Sequence, residues 1–439
     1  MADYIEPRVL KGFRDFLPSS EIARRDILES LEKSFRAYGF VPIDTPVLEY
    51  ADILLGKGGG ETEKQIYRFN DNGGRDVAMR FDLTVPFARF MAQHREELYL
   101  PFKRYHIAKV WRGENTQRGR YREFIQCDFD IVGSHSAASD FEILLVMKNS
   151  LEMVSQDKEK CSITIRYNHR GLFNRFLSRL EVMDKSVEIL RTVDKLSKIG
   201  RQETENLLRE QIGDKAKAVL DYIEASGSFE EKLKTLNKAA TGSDSENCPE
   251  AECLYLIHQF MLDTGTEKTF VLDPAITRGL DYYTGIVFES FLNDLPEIGS
   301  VCSGGRYDNL VGLYTKPNSG EAVGGVGTSI GIDRLIAALE TLGKLNTKSS
   351  YADIAIACLK EKDSGLCQAL AERFRAKGMA CEVFLDEAKL QKQYVLAEKK
   401  GLSWLIIPDE ENANNYTLRN LKTRENQSMS EEKLLGFFK

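Results

Sequence analysis

The chain has 439 residues, 42% of them hydrophobic and 29% charged. That composition excludes a disordered or collagen-like chain, and the length allows roughly two or three domains. Its 60 Lys and Arg against 67 Asp and Glu give a formal net charge of −7. This excludes a surface that is basic throughout, but leaves room for a local basic site.

No apolar run approaches the ~18 residues of a membrane span. Residues 1–14 hold Asp3, Glu6, Arg8, Lys11 and Arg14, with no apolar core of a secretory signal. A cytoplasmic location without a membrane partner is expected. Cysteines stand at 127, 161, 248, 253, 302, 358, 367 and 381. Dispersed cysteines of this kind read as reduced thiols. Cys248 and Cys253 are the nearest pair, but no further ligands complete a zinc site, so no metal residue is assigned.

The segment PRVLKGFRDFLPSS (7–20) is turn-rich. Ser19 or Ser20 then caps a helix running to about Tyr38, on apolar residues at helical spacing, and Gly39 stops it. Pro42 and Pro46 limit the following stretch to an edge strand or extended chain. Strand patterning appears at 64–70, 75–82, 103–112 and 121–132, interrupted by a helix from about Leu83 to Gln93. A helix is expected from Asp140 to Gln156, then a strand beginning at Ser162. Residues 170–265 read as a helical insertion, with GSFEEKL and ATGSDSENCPE as loops; its charge reads as a solvated surface. Residues 268–340 return to strands and glycine turns, with a helix from about Ile332. A polar linker spans 341–350. Beyond it, apolar strands alternate with helices in a βαβαβ order.

The fold class that follows is an α+β catalytic domain, an antiparallel sheet flanked by helices, over 1–345. It carries the helical insertion at 170–265. An α/β domain occupies 351–439.

Segment 101–122 has seven basic residues (Lys103, Arg104, Lys109, Arg112, Arg118, Arg120, Arg122) against Glu114 alone, a local charge of +6. The following strand alternates with period two. Phe124, Gln126, Asp128 and Asp130 share one face, while Ile125, Cys127, Phe129 and Ile131 share the other. An aromatic, an amide and two acids on one face suit a ligand carrying a base, an amine and a phosphate. A solvated face needs no such mixture. MRFDLTVPF (79–87) puts Asp82, Leu83 and Thr84 at a strand-to-helix junction. TRGLDYYTG (277–285) concentrates Arg278, Asp281, Tyr282 and Tyr283. GGVGTSIGIDRL (324–335) runs a glycine-rich strand into a helix bearing Arg334. Neither it nor GKGGG (56–60) is a P-loop or a dinucleotide fingerprint. The glycines of 324–331 are expected to let backbone and cofactor approach closely.

Together these segments resemble the class II aminoacyl-tRNA synthetases, and specifically the histidyl-tRNA synthetase family. GFRDFLP with Gly39–Glu49 resembles motif 1, the Arg112–Asp130 hairpin motif 2, and GGVGTSIGIDRL motif 3. TRGLDYYTG and SGGRYDNL (303–310) are similar to the family's two histidine-specific motifs. MRFDLTVPFARF and QCDFDIVG resemble the branch that includes eukaryotic and archaeal enzymes.

The resemblance implies joining of L-histidine to tRNA(His) in a homodimer, with ATP and Mg²⁺ bound with it. It implies that Arg112 and Arg278 hold the α-phosphate and the histidine carboxylate, as guanidinium groups suit. Arg120 and Arg334 would take the outer phosphates. Phe124 would stack on adenine, with Arg334 on its other face and Glu114 near the amino group. Asp82 and Thr84, with Leu83 between them and Gln126 nearby, would receive the substrate ammonium. Asp130 and Tyr283 would bond the imidazole nitrogens. Tyr282, Tyr307, Gly304 and Gly305 would wall the pocket, although Tyr282 and Tyr307 read equally as core aromatics. Asp128 and Asp281 are left as supporting groups. The α/β domain resembles the family's anticodon-binding domain. With 14 acidic and 14 basic residues, its charge does not announce RNA. Lys389, Lys392, Lys399 and Lys400 suit either phosphate contact or a solvated helix.

Overall fold

Alternation over residues 102–132 builds the centre of the main sheet. The computed structural model describes residues 4–56, 61–155, 162–276, 282–315, 323–409, 412 and 414–438. In chain order, the strands of the first part are β1 (Val41–Pro42), β2 (Leu48–Tyr50), β3 (Arg68–Asn70) and β4 (Asp76–Met79). There follow β5 (Phe102–Trp111), β6 (Glu123–Val132), β7 (Ile163–His169), β8 (Phe270–Leu272), β9 (Ile286–Leu292), β10 (Cys302–Arg306) and β11 (Gly325–Gly331). Eight of them form one sheet in the order β1-β5-β6-β11-β10-β9-β7-β8, and β2-β4-β3 form a small one. The central six strands are antiparallel; the β1–β5 and β7–β8 pairs at the two edges are parallel.

The chain divides into two compact units, residues 1–14 with 28–344, and residues 15–27 with 345–439. In the first, the helix Ala137–Ser155 runs beneath the sheet, and Thr328 and Cys302 approach each other on that core side. The helix Pro18–Ala37 follows its predicted span, and Gly39 ends it at a φ of +79° that favours glycine. Six helices lie between β7 and β8, from Arg170–Arg179 to Pro249–Asp263.

Three local expectations need correction. The expected strand at 64–70 begins as the helix Glu61–Gln65, leaving only β3. The strand at 75–82 stops at Met79, because Asp82 turns the chain into the next helix by accepting from the Val85 N–H. GSFEEKL is a helix start: Ser228 and Glu231 form a reciprocal capping box for Phe229–Thr241.

The second unit contains β12 (Ile354–Ile356), β13 (Cys381–Val383), β14 (Trp404–Pro408), β15 (Asn415–Asn420) and β16 (Asn426–Ser430), in the order β13-β12-β14-β15-β16. The parallel β12–β13 and β12–β14 pairs are the expected βαβαβ core, with the helices Ser364–Arg375 and Leu390–Lys399. Its antiparallel extension, β15 and β16, and the helix Glu431–Phe437 were not expected. β16 is polar and largely exposed, so it lacks the apolar alternation that marks a strand.

Candidate active site

Residues directly opposite each other in a ladder share a sheet face. Arg104 of β5 faces Asp130 of β6, Asp130 faces Gly327 of β11, and Gly327 faces Gly305 of β10. The same register sets His106 beside Asp128 and Ser329, and Gln126 beside Gly331. Phe124, Gln126, Asp128 and Asp130 therefore do share a face, as the alternation predicted. All but Phe124 are buried.

Arg104 is a full part of this face, which the sequence reading missed. Its side chain is wholly buried, and Nη2 lies 2.7 Å from Asp130 Oδ2. The guanidinium also sits 4.0 Å from the Phe87 ring centre. The Tyr307 hydroxyl donates to Asp130 Oδ1 at 2.5 Å. Burial raises the Asp130 carboxyl above its ordinary range, while Arg104 and Tyr307 pull the other way. Burial pushes Asp128 up to about 7. Arg104 stands in a charged segment, and the acid opposite it appears only in the β5–β6 register.

Asp82 is buried at the start of the helix Thr84–Gln93. Burial raises its pKa; the Val85 N–H and Arg112 oppose that. Leu83 is wholly buried, and Thr84 hydrogen-bonds Tyr282. Tyr282 and Tyr283 have ring centres 4.9 Å apart, and Tyr282 and Tyr307 6.1 Å. Burial raises all three phenols, so they remain neutral donors. Tyr307 is thus both a buried aromatic and the hydrogen-bond partner of Asp130.

Arg112 follows β5. Its Nε donates to the Phe81 carbonyl at 3.1 Å, and its guanidinium lies 4.4 Å from the Phe81 ring and 5.1 Å from the Phe124 ring. Burial lowers its pKa while Asp82 and Glu114 raise it; an arginine stays charged under such shifts. Arg122 braces the following loop by donating to the Glu114 carbonyl at 3.2 Å. Arg120 lies on a turn closed with Gln117, and Gly119 of that turn packs beside the Arg334 backbone. Arg334 Nη1 donates to the Ser300 carbonyl at 2.5 Å. A second anchor, unforeseen from sequence, is Asp333: it accepts from Arg14 and from the Ile125 N–H. Arg278 and Asp281 lie outside the described residues.

Two glycine expectations change. Gly304 and Gly305 do not wall one pocket together, because alternation turns them to opposite faces. A Cβ on Gly304 would collide with the Gly327 carbonyl and Thr328; one on Gly305 would meet the Tyr283 ring at 2.9 Å. In β11, a Cβ on Gly327 would overlap the Asp130 carboxyl group, and one on Gly325 would lie 2.6 Å from Tyr307. These two glycines make room for the protein's own side chains, not for a nucleotide. Gly331 is different: its Cβ position meets only Val301 and Arg334, at 3.8 Å or more. Among the described residues, no group of three His, Cys, Asp or Glu is placed to hold a metal ion.

The model of the Histidyl-tRNA synthetase family matches residues 12–335. The chain belongs to the histidyl-tRNA synthetase family. A second model, Anticodon binding domain, matches residues 353–439. The chain is 53% identical to a Histidine--tRNA ligase of Treponema denticola over 94% of this chain and 91% of the relative. It is 44% identical to one of Rhodopirellula baltica over 97% and 96%. The crystal structure of histidyl-tRNA synthetase from Nostoc sp. is similar with a TM-score of 0.86 and 28% identity, covering 99% of each chain. A Bacillus halodurans structure described as an ATP phosphoribosyltransferase regulatory subunit/histidyl-tRNA synthetase shares the fold, with a TM-score of 0.73 at 20% identity. These relatives are bacterial, so the expected kinship with a eukaryotic and archaeal branch finds no support in them.

Proposed function

We propose that this chain is an ATP-dependent ligase that joins L-histidine to tRNA(His) through a histidyl-adenylate, releasing AMP and pyrophosphate. The observation that carries this reading is a sheet face holding Gln126 and Asp130, with Tyr307 bonded to Asp130, in a chain 53% identical to a histidine–tRNA ligase.

Adenylation needs the substrate carboxylate aligned with the α-phosphate, and compensation of negative charge in the transition state. Arg112 is held by the Phe81 carbonyl and two aromatic rings, so its fork is oriented before substrate arrives. With Arg278 it grips the α-phosphate and the carboxylate. Arg120 and Arg334 take the outer phosphates, Phe124 stacks on adenine, and Glu114 lies near its amino group. Mg²⁺ would arrive with ATP and would offset negative charge there. No general base is needed, because the attacking carboxylate is already ionised.

Asp82, Leu83, Thr84 and Gln126 form the ammonium end of the histidine site. Asp130 and Tyr283 serve the ring nitrogens, and Tyr282, Tyr307 and Gly305 shape the walls. A buried site that bonds both ring nitrogens rejects apolar amino acids, whose binding would leave its polar groups unpaired. Residues 1–345 form the catalytic domain, 170–265 its insertion, and 351–439 the part that reads the tRNA anticodon. The enzyme works as a cytoplasmic homodimer.

ATP–pyrophosphate exchange with each amino acid tests this. Exchange stimulated by histidine alone is expected. Stimulation by proline or threonine instead would overturn the specificity, and none with any amino acid would favour a regulatory role.

A further inference from the structure

The polar groups on the β6 face differ in what hydrogen-bonding capacity they have left. Asp82 accepts backbone N–H groups at the start of its helix. Asp130 accepts from the Tyr307 hydroxyl with Oδ1, while its Oδ2 lies 2.7 Å from Arg104 Nη2 as an ion pair without hydrogen-bond geometry, so the Arg104 cation offsets its charge. Gln126 donates from Nε2 to Ser329 Oγ at 2.8 Å, which fixes the amide and leaves Oε1 a buried acceptor without a partner among the described residues.

Asp128 is the remaining acid. It is 2% exposed; it hydrogen-bonds Ser329, its partner on β11, and its Oδ1 has no hydrogen-bond partner among the described residues. The buried arginine nearby, Arg104, pairs with Asp130 instead. Its cross-strand neighbour His106 cannot help. His106 Nε2 lies 3.0 Å from Asp44, which places the proton there and leaves Nδ1 an acceptor. Burial and nearby arginines keep that ring neutral. Buried acceptors with no donor are rare in folded proteins and invite a ligand that brings one.

We propose that Asp128 is a substrate-recognition residue whose Oδ1, beside Gln126 Oε1, accepts an N–H from the bound amino acid. This rests on the histidine-activating reading above. Histidine brings two such donors, its ammonium and its ring N–H. Asp128 lies between Gln126 and Asp130 along β6, within reach of either end of the substrate.

The test is ATP–pyrophosphate exchange by the full-length chain and by Asp128→Asn. The variant is expected to raise KM for histidine at least about tenfold, the factor that corresponds to one ordinary hydrogen bond to a charged group. KM for ATP should stay within about twofold, which also reports an intact fold. Inhibition by 3-(imidazol-4-yl)propionate, which lacks the ammonium, separates the donors. An inhibition constant unchanged by the mutation identifies the ammonium; one raised in parallel identifies the ring. An unchanged KM for histidine overturns the proposal, as does an equal rise for both substrates. If the amide variant does not fold, Asp128→Glu displaces the same oxygen and must show the same selective rise, or the proposal fails. Wild-type protein without histidine-dependent exchange would instead sink the functional reading.

Discussion

Gly327→Ala tests the geometry of the site from its floor. The added Cβ would overlap the Asp130 carboxyl group, so one of them must move. β11 is paired on both sides, with β6 and β10, and cannot shift easily. The Asp130 side chain must therefore rotate away from Tyr307 and Arg104. Overpacking of this kind costs about 1–3 kcal/mol. Depriving a buried charge of its partner costs about 3–5 kcal/mol, and Arg104 is wholly buried. A loss of about 3 kcal/mol or more is expected where both apply. Urea denaturation would show it as a lower midpoint at unchanged slope. KM for histidine should rise by about tenfold or more, since about 1.4 kcal/mol is a factor of ten. Gly331→Ala is the control. Its Cβ meets only ordinary contacts, so stability should change by less than about 0.5 kcal/mol. Wild-type midpoint and wild-type KM in Gly327→Ala would refute the argument that glycine is there to admit Asp130.

Arg112→Lys keeps the charge but loses the fork held between two rings; exchange should fall by about two to three orders of magnitude in kcat, measured under saturating substrates. Arg278→Ala should nearly abolish adenylation while circular dichroism stays native; full-rate exchange would remove its assigned role. Asp308→Ala deprives Thr284 and the buried Arg306 of an acceptor, so a stability loss of about 1–3 kcal/mol is expected by denaturation. Burial pushes the Asp128 carboxyl up to about 7 from its ordinary 3.8 by disfavouring its charge. The folded state then binds the proton more tightly, so this group lowers stability as pH rises from about 4 to about 7. Asp128→Asn removes that cost, about 4 kcal/mol at most. Its stability relative to wild type should therefore grow between pH 5 and pH 8 in parallel urea titrations.

The period-two pattern of β6 was readable because its two faces differ sharply in chemistry, and the structure keeps that division. Arg104 was hidden for the opposite reason. A basic residue in a charged segment reads as surface, and only cross-strand register reveals the acid facing it. The glycines of 324–331 were rightly singled out as space-making, but what fills the space is a tertiary fact. Asp130 is nearly two hundred residues from the strand and 177 from Tyr307, so only the folded chain brings the three together. β16 escaped notice because a polar edge strand is held by backbone pairing, which leaves no trace in side-chain pattern. The capping box at Ser228 is local, and its Ser-x-x-Glu spacing was open to recognition within GSFEEKL.

β11 contributes one more property. Gly325, Gly327, Ser329 and Gly331 make four of its seven residues nearly bare backbone, a composition that in isolation would leave the strand loose. Here ladders on both flanks take up its N–H and C=O groups, and Val326, Thr328 and Ile330 are buried on the reverse face. The floor of the site is thus clamped peptide, covered at Gly325 and Gly327 by the Tyr307 ring and the Asp130 carboxyl. It has few rotamers to reset when a ligand comes or goes. Its amide protons should be among the slowest to exchange with solvent, and ligand-linked motion belongs to the rim.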